Sequence, residues 1–171
     1  MQQKTLFEDG RLSRPAAAAL AASAIVAPAL SAALDKPSRH WSTRIWYALL
    51  RKPSFQPPQA AFPVVWTALD SALALGAYRI ARLPSTPQRN RALGLFAANV
   101  AMIAGWGRLF FGQRRLGAAA LGSAAITATA TAYAAAARPI DKPAAATAVP
   151  LVAWVGFATV LGTAIWRMNR R

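Results

Sequence analysis

Residues 144–166 read AAATAVPLVAWVGFATVLGTAIW and carry no charged side chain until Arg167 follows. A helix of about 20 apolar residues crosses the roughly 30 Å hydrocarbon core of a bilayer. This stretch therefore predicts a transmembrane helix. Four more charge-free stretches lie upstream, at residues 16–34, 53–69, 92–107 and 116–137. Charges between such stretches and none within them are what the bilayer requires, so the pattern predicts five transmembrane helices.

The composition agrees with a membrane protein. Of the 171 residues, 56% are hydrophobic and 15% are charged, whereas soluble domains average about 45–50% and about 25%. The formal net charge of +15 comes from 20 Lys and Arg against five Asp and Glu. These cations form short clusters that fall on both sides of a five-helix bundle. A membrane-anchored binder of nucleic acid or anionic lipid, which is a third hypothesis here, would need them on one surface. We therefore expect a lipid bilayer around the protein and no nucleic-acid partner.

Several kinds of site are excluded by composition. The chain has no Cys, so it has no disulfide, Cys-ligated zinc or Cys nucleophile. One His and five acids leave little material for a His-based triad or a His-rich metal site. His40 stands alone in a polar segment and is read as a solvated side chain rather than an iron ligand. We predict no metal, no cofactor and no catalytic residue.

The predicted fold is an all-α membrane protein, a five-transmembrane-helix bundle forming one domain at residues 16–169. Residues 1–15 are predicted to be a flexible lead. The helices are predicted at about 16–34, 61–80, 91–110, 116–137 and 144–168. Residues 35–60 are predicted to be a long polar loop along the membrane surface, because Trp and Tyr favour the headgroup interface.

A cleaved signal peptide is the alternative for the first helix. Arg11 and Arg14 precede its apolar run, and an Ala-Leu-Ser-Ala sequence resembles a cleavage site. The run is longer than a usual signal-peptide core, and Glu8 and Asp9 lie before it, so we favour a helix that is retained.

Orientation rests on a small difference in charge. The loops that share a side with the C-terminus carry eleven Lys and Arg, and the other side carries nine. The positive-inside bias therefore favours a C-terminus inside the cell. We expect the bacterial inner membrane as the location, because no mitochondrial leader is recognisable.

The most distinctive stretch is residues 46–66, which read WYALLRKPSFQPPQAAFPVVW. No helical or strand periodicity explains these aromatic and proline positions. The stretch resembles the signature of the TspO/MBR family, also called the tryptophan-rich sensory proteins or translocator proteins, at nearly every fixed position. The resemblance continues at Trp106 with Phe110, at Pro150 with Trp154, and through residues 158–169.

The resemblance implies a five-helix bundle, usually dimeric, with a ligand cavity between the helices that the first loop closes. Family members bind porphyrins and, in several cases, sterols and synthetic aromatic ligands. The implied function is binding, with transport or sensing, of tetrapyrroles such as porphyrin or haem, or of sterol-like ligands. The alternative is a light-dependent enzyme that degrades porphyrin through its cavity tryptophans, as some bacterial members are described to do.

A porphyrin cavity needs rigid aromatic faces for stacking and a few polar or cationic groups. The candidate ligand-binding residues supply such groups: Trp46, Lys52, Phe55, Pro57, Phe62, Trp66, Asp70, Asn99, Trp106, Leu151 and Trp154. Trp41 and Trp166 lie at span ends and are read as interfacial residues instead.

The chain also departs from the family pattern. Aromatic or polar residues are common in the family where this chain has Phe55, Asp70, Asn99, Ile103, Leu151 and Gly162. These departures bear on the identity of the ligand more than on the fold. Asp70 is the most notable, because a carboxyl group within a transmembrane helix is by default a candidate for function.

A stripe of small residues marks the third helix. Ala97, Ala101 and Gly105 recur every four residues, a spacing that lets a second helix approach closely. Together with the habit of the family, the stripe predicts a homodimer. Chance spacing in an Ala-rich helix is the alternative explanation.

Overall fold

The computed structural model describes residues 7–8, 10–35 and 40–170. Its helices, in chain order, are α1 (Arg14–Asp35), α2 (Trp41–Leu49), α3 (Ala61–Ala81), α4 (Pro87–Gly107), α5 (Leu116–Ala137), α6 (Lys142–Thr147) and α7 (Val149–Asn169). A π-helical turn at Arg108–Gly112 continues α4. Two short strands, β1 (Phe7–Glu8) and β2 (Arg11–Leu12), pair antiparallel.

The described residues contain five helical segments long and apolar enough to cross a membrane, with α6 and α7 together forming the fifth. The predicted five-helix bundle is therefore confirmed. Large apolar side chains point outward along these segments; Leu121 is 74% exposed and Val64 is 72% exposed. Such an exterior suits lipid, because a soluble monomer rarely exposes extended apolar surface.

Three helices begin earlier than predicted: α1 begins at Arg14, and α4 and α6 begin after capping residues in the polar loops. Thr86 accepts a hydrogen bond from the backbone amide of Arg89 at 3.1 Å, and Pro87 occupies the first turn of α4. Asp141 caps α6 in the same way, accepting from the amide of Ala144 at 2.8 Å. Both caps follow the usual preference for Thr or Asp before a helix and Pro just inside it. The prediction had followed the charge-free stretches, which begin later.

The first loop, here residues 40–60, contains a helix that was not predicted. Along α2, Trp41, Ile45 and Leu49 recur every four residues and are 71%, 40% and 78% exposed. This spacing gives one apolar face, as in a helix lying at a membrane interface. The segment is therefore helical at the surface where a loop had been expected.

The N-terminal hairpin lies over the α3–α4 connection. Gly10 forms its turn with a φ of +71°, a conformation that glycine adopts without strain. The carbonyl oxygen of Gly10 accepts a hydrogen bond from the amide of Ser85 at 2.8 Å. Within the expected flexible lead, the structure thus describes a docked hairpin; residues 1–6 and 9 lie outside the described part of the chain.

The connections group at two opposite ends of the bundle. At one end, Arg79 near the end of α3 forms an ion pair of 3.1 Å with Asp141 before α6. At the other end, Arg114 donates to the hydroxyl oxygen of Ser42 in α2 at 3.0 Å. The first and third loops therefore share an end, as expected for five crossings. Which end faces the cell interior stays a prediction.

Small residues allow close helix packing. Gly162 of α7 lies against Ala120 of α5, where a Cβ at position 162 would be 3.6 Å from the Cα of Ala120. Gly76 of α3 is tighter still: a Cβ there would meet the hydroxyl of Thr147 and come within 3.0 Å of the carbonyl oxygen of Ala144. Glycine at position 76 is thus required by the approach of α3 to α6.

Candidate functional site: an aromatic cavity within the bundle

A cavity of about 610 Å³ lies between the long helices. Side chains from α1, α3, α4, α5 and α7 line it, and Tyr47, Gln56 and Gln59 of the first loop lie at its rim. Its lining is predominantly apolar. The volume is within the range of roughly 300–1,000 Å³ that is typical of small-molecule pockets.

One aromatic group of the cavity is built from α3 and α7. The rings of Phe62 and Trp154 meet edge to face with centroids 5.8 Å apart. Trp154 also contacts Phe157 at 5.8 Å. Trp66 lies one helical turn after Phe62 and also lines the cavity. Edge-to-face contacts of this kind hold the rings in fixed orientations.

A second aromatic group comes from the end of α4. Trp106 stacks on Phe110 with centroids 5.0 Å apart and an interplanar angle of 13°. The indole nitrogen of Trp106 donates to the carbonyl oxygen of Ala119 at 2.9 Å, so its polar atom is satisfied within the bundle. Trp46 packs on the same Phe110 ring at 5.8 Å. The π-helical turn places Phe110 and Phe111 at the cavity beside Trp106.

Five of the eleven candidate residues line the cavity: Phe62, Trp66, Asp70, Trp106 and Trp154. The structure thus brings the predicted aromatic faces of three helices to one cavity.

The other six lie outside the lining. Trp46 supports Phe110, and Lys52 lies over the ring of Tyr47 at 4.2 Å from its centroid. Phe55 packs against Phe157 with ring centroids 6.3 Å apart, and Pro57 lies nearby in the first loop.

Asn99 and Leu151 belong to helix packing. The side-chain amide of Asn99 donates to the carbonyl oxygen of Ile126 at 3.0 Å. Leu151 is fully buried in the hydrophobic core. Ile103, one turn after Asn99, lines the cavity in its place.

Sequence reasoning missed several lining residues. Tyr47 and Phe110 belong to the motifs that carry the family resemblance, but they were not predicted for the site. Gln56 and Gln59 stand at positions that the signature leaves unspecified, so no sequence signal marked them. Ser123 lies in the middle of α5, where an Ala- and Thr-rich sequence gives no hint of which face meets the cavity.

Two cationic side chains lie over aromatic rings of α2. Lys52 lies over Tyr47, and Arg114 lies over Trp46 with its guanidinium carbon 5.7 Å from the ring. Burial raises the pKa of the Tyr47 phenol, so its hydroxyl stays protonated at neutral pH and can donate a hydrogen bond. The first loop is held to α7 by Asn169, whose side chain bonds both backbone polar groups of Arg51.

An acidic side chain, that of Asp70, lies within the cavity. Asp70 is 7% exposed and lines the cavity, and its Oδ1 atom has no hydrogen-bond partner among the described residues. Of the described residues that line the cavity, Asp70 is the one with a formal charge.

The stripe of small residues on α4 lies on the surface of the chain. Ala97, Ala101 and Gly105 are exposed. A Cβ at Gly105 would meet no atom within 4 Å. This face is therefore open to lipid or to another helix.

These features define a multi-pass integral membrane protein whose helices surround an aromatic cavity. The sequence profile of the TspO/MBR family matches residues 18–167, and the chain belongs to this family.

Individual relatives support the same family membership. The chain is 32% identical over 146 residues to the translocator protein of Homo sapiens, covering 84% of this chain and 86% of that protein. It is 35% identical over 127 residues to the translocator protein of Ovis aries, covering 73% and 75%. It is 34% identical over 143 residues to the tryptophan-rich sensory protein of Cereibacter sphaeroides, covering 84% and 85%.

Proposed function

We propose that this TspO/MBR protein binds tetrapyrrole-like planar aromatic ligands, such as porphyrin or haem, in the cavity and transports or senses them. The observation that carries the proposal is the cavity itself, with a volume of about 610 Å³ and two groups of fixed aromatic rings. Flat aromatic molecules gain from stacking between such faces. The names of the relatives, translocator protein and tryptophan-rich sensory protein, agree with transport or sensing. Sterol-like ligands are the other class that an apolar cavity of this kind would accept.

The electrostatics suit a ligand with carboxylates at one edge. Lys52 lies over Tyr47 at the rim, and Arg114 lies over Trp46, which packs on Phe110 of the lining. A porphyrin whose ring system enters the cavity would keep its propionates at this rim, near Lys52 and water. Placing charged groups at the rim avoids the large cost of burying them among apolar side chains.

The test is equilibrium titration of the purified protein in detergent with protoporphyrin in the dark. Tryptophan fluorescence quenching and the porphyrin Soret band would report binding. We expect saturable binding that Trp66→Ala and Trp154→Ala weaken. Trp41→Ala is the matched control, because Trp41 is 71% exposed on α2 and outside the cavity. Absence of saturable binding, or equal loss in all three variants, would contradict the proposal.

A second candidate function is light-dependent degradation of the bound porphyrin. The observation in its favour is that three tryptophans, Trp66, Trp106 and Trp154, line one cavity. Illumination of the same complex would then produce a new absorbing species that Trp66→Phe or Trp154→Phe abolishes. Bleaching at the rate of free porphyrin would leave binding as the function.

We infer a homodimer through the exposed stripe of Ala97, Ala101 and Gly105 on α4, since small residues allow close approach of a second helix. We propose the bacterial inner membrane as the location, which the similarity to the tryptophan-rich sensory protein of Cereibacter sphaeroides supports. Fractionation of the native host would test the location.

A further inference from the structure

We propose that the deep end of the cavity selects ligands that present a nitrogen-bound hydrogen, either a neutral N–H or a cationic nitrogen, to the carboxyl group of Asp70. The inference rests on the proposed function in using the same cavity, and it adds the chemistry by which one end of a ligand is recognised.

The position of Asp70 follows from helix geometry. Phe62, Trp66 and Asp70 are spaced by four residues, and all three line the cavity. Residues at this spacing share one face of a helix. At about 1.5 Å per residue, Asp70 lies roughly 12 Å along α3 from Phe62, which is next to the first loop. The carboxyl group is therefore well below the rim, beyond the aromatic rings.

The carboxyl group of Asp70 lacks a hydrogen-bond donor at one of its oxygen atoms. Its Oδ1 atom is buried, and none of the described residues donates a hydrogen bond to it. A buried polar atom without a partner destabilises the unliganded protein. A ligand that supplies the missing hydrogen bond recovers this free energy, whereas a ligand without a donor does not.

Three donors that line the cavity already have acceptors. The hydroxyl of Ser123 donates to the carbonyl oxygen of Ala119 at 3.2 Å, and that of Thr67 donates to Pro63 at 2.8 Å. The indole of Trp106 donates to Ala119. These three groups are satisfied by helix carbonyls and do not donate to Asp70, so a ligand that carries a donor can supply the missing hydrogen bond.

The charge distribution favours one orientation of a bound ligand. Lys52 lies over Tyr47 at the rim, and no described Lys or Arg side chain lines the cavity itself. A second acceptor without a partner, Oε1 of Gln56, lies at the rim. The rim therefore offers both an acceptor at Gln56 and a donor at Tyr47, whereas the group at depth is the acidic side chain of Asp70. An amine or pyrrole-type nitrogen fits this arrangement, and a carboxylate at depth does not.

The experiment uses two dyes that differ by one amino group. At mildly alkaline pH, 9-aminoacridine is a planar cation with N–H donors, and acridine is neutral without one. Both would be titrated into the full-length protein in a neutral detergent, with tryptophan quenching as the readout. We expect 9-aminoacridine to bind about tenfold more tightly, as one hydrogen bond to a charged group implies.

Three variants make the test specific. Asp70→Leu should abolish the preference while acridine still binds. Asp70→Asn keeps an acceptor without the charge and should retain part of the preference. Thr67→Val is the matched control, because it removes another polar group of the same cavity and helix and should leave the preference intact. Circular dichroism and gel filtration would establish that each variant is folded.

Equal affinities for the two dyes in the unmodified protein, no binding of 9-aminoacridine, or a preference that survives in Asp70→Leu would overturn the inference. The protoporphyrin titration remains a separate measurement. A preference for 9-aminoacridine without porphyrin binding would contradict only the proposed function. Porphyrin binding without that preference would contradict only the role of Asp70.

Discussion

The side-chain amide of Asn169, at the end of α7, forms two hydrogen bonds with the backbone of Arg51 in the first loop. Its oxygen accepts from the Arg51 amide at 3.0 Å, and its nitrogen donates to the Arg51 carbonyl oxygen at 2.8 Å. The same nitrogen donates to Ile165 within α7, which fixes the side chain. This contact joins residues 118 positions apart and holds the first loop over the cavity.

Asn169→Ala should loosen the first loop without unfolding the bundle. The Arg51 amide loses its acceptor, so we expect its hydrogen exchange to accelerate about fivefold to tenfold, as the loss of about one hydrogen bond implies. Hydrogen exchange with mass-spectrometric detection of the peptide around residue 51 is the measurement. Asn90→Ala, at the opposite end of the bundle, is the control and should leave this peptide unchanged. Unaltered exchange in Asn169→Ala would mean that other contacts hold the loop.

Lys52→Gln should weaken ligands that carry carboxylates and spare their esters. The ammonium group lies over Tyr47 at the rim, where solvent screens it. We therefore expect a loss of about two- to fivefold in affinity for protoporphyrin, in keeping with a partly exposed ion pair. Affinity for protoporphyrin dimethyl ester should not change. Arg44→Gln is the control, since Arg44 lies over Trp41 on α2 and outside the cavity. An equal loss for the ester would assign Lys52 to loop packing instead.

The sequence predicted the bundle because its signals are local. Charge-free stretches and the residues between them determine which segments cross a membrane. The signature at residues 46–66 then predicted the family, and with it an aromatic cavity. The starts of α4 and α6 were missed because Thr86 and Asp141 act through capping bonds inside polar loops, where hydropathy gives no signal.

Which residues line the cavity depends on how each helix is rotated about its own axis, and the sequence does not reveal that rotation. Asn99 and Ile103 are one turn apart on α4, yet Asn99 turns towards the carbonyl oxygen of Ile126 and Ile103 meets the cavity. The first loop adds Gln56 at the rim by folding over the helices. Contacts between distant parts of the chain decide both cases.

Gly76→Ala should destabilise the protein although alanine is the better helix former. A Cβ at position 76 would meet the hydroxyl of Thr147 and lie 3.0 Å from the carbonyl oxygen of Ala144, so α3 and α6 would have to separate. Overpacking of this kind costs about 1–3 kcal/mol. Thermal unfolding in detergent, followed by circular dichroism, is the measurement.

Gly94→Ala is the matched control for that experiment. A Cβ at Gly94 meets nothing within 4 Å. It should therefore keep the helix-propensity gain of about 0.5–1 kcal/mol and unfold at the same or a higher temperature. If both variants were equally stable, the approach of α3 to α6 would be looser than the structure describes.

Ala101→Leu should weaken the proposed homodimer. Ala101 is exposed at the centre of the stripe on α4, and a leucine there would hold a second helix away from the backbone at Gly105. We expect the dimer dissociation constant to rise about tenfold or more, as an overpacked contact costing at least about 1.4 kcal/mol implies. Light scattering of the detergent-solubilised protein across a concentration series would measure it. Ala124→Leu places the same side chain on the exposed face of α5 and should leave the dimer intact. A dimer weakened by Ala124→Leu and not by Ala101→Leu would move the interface from α4 to α5.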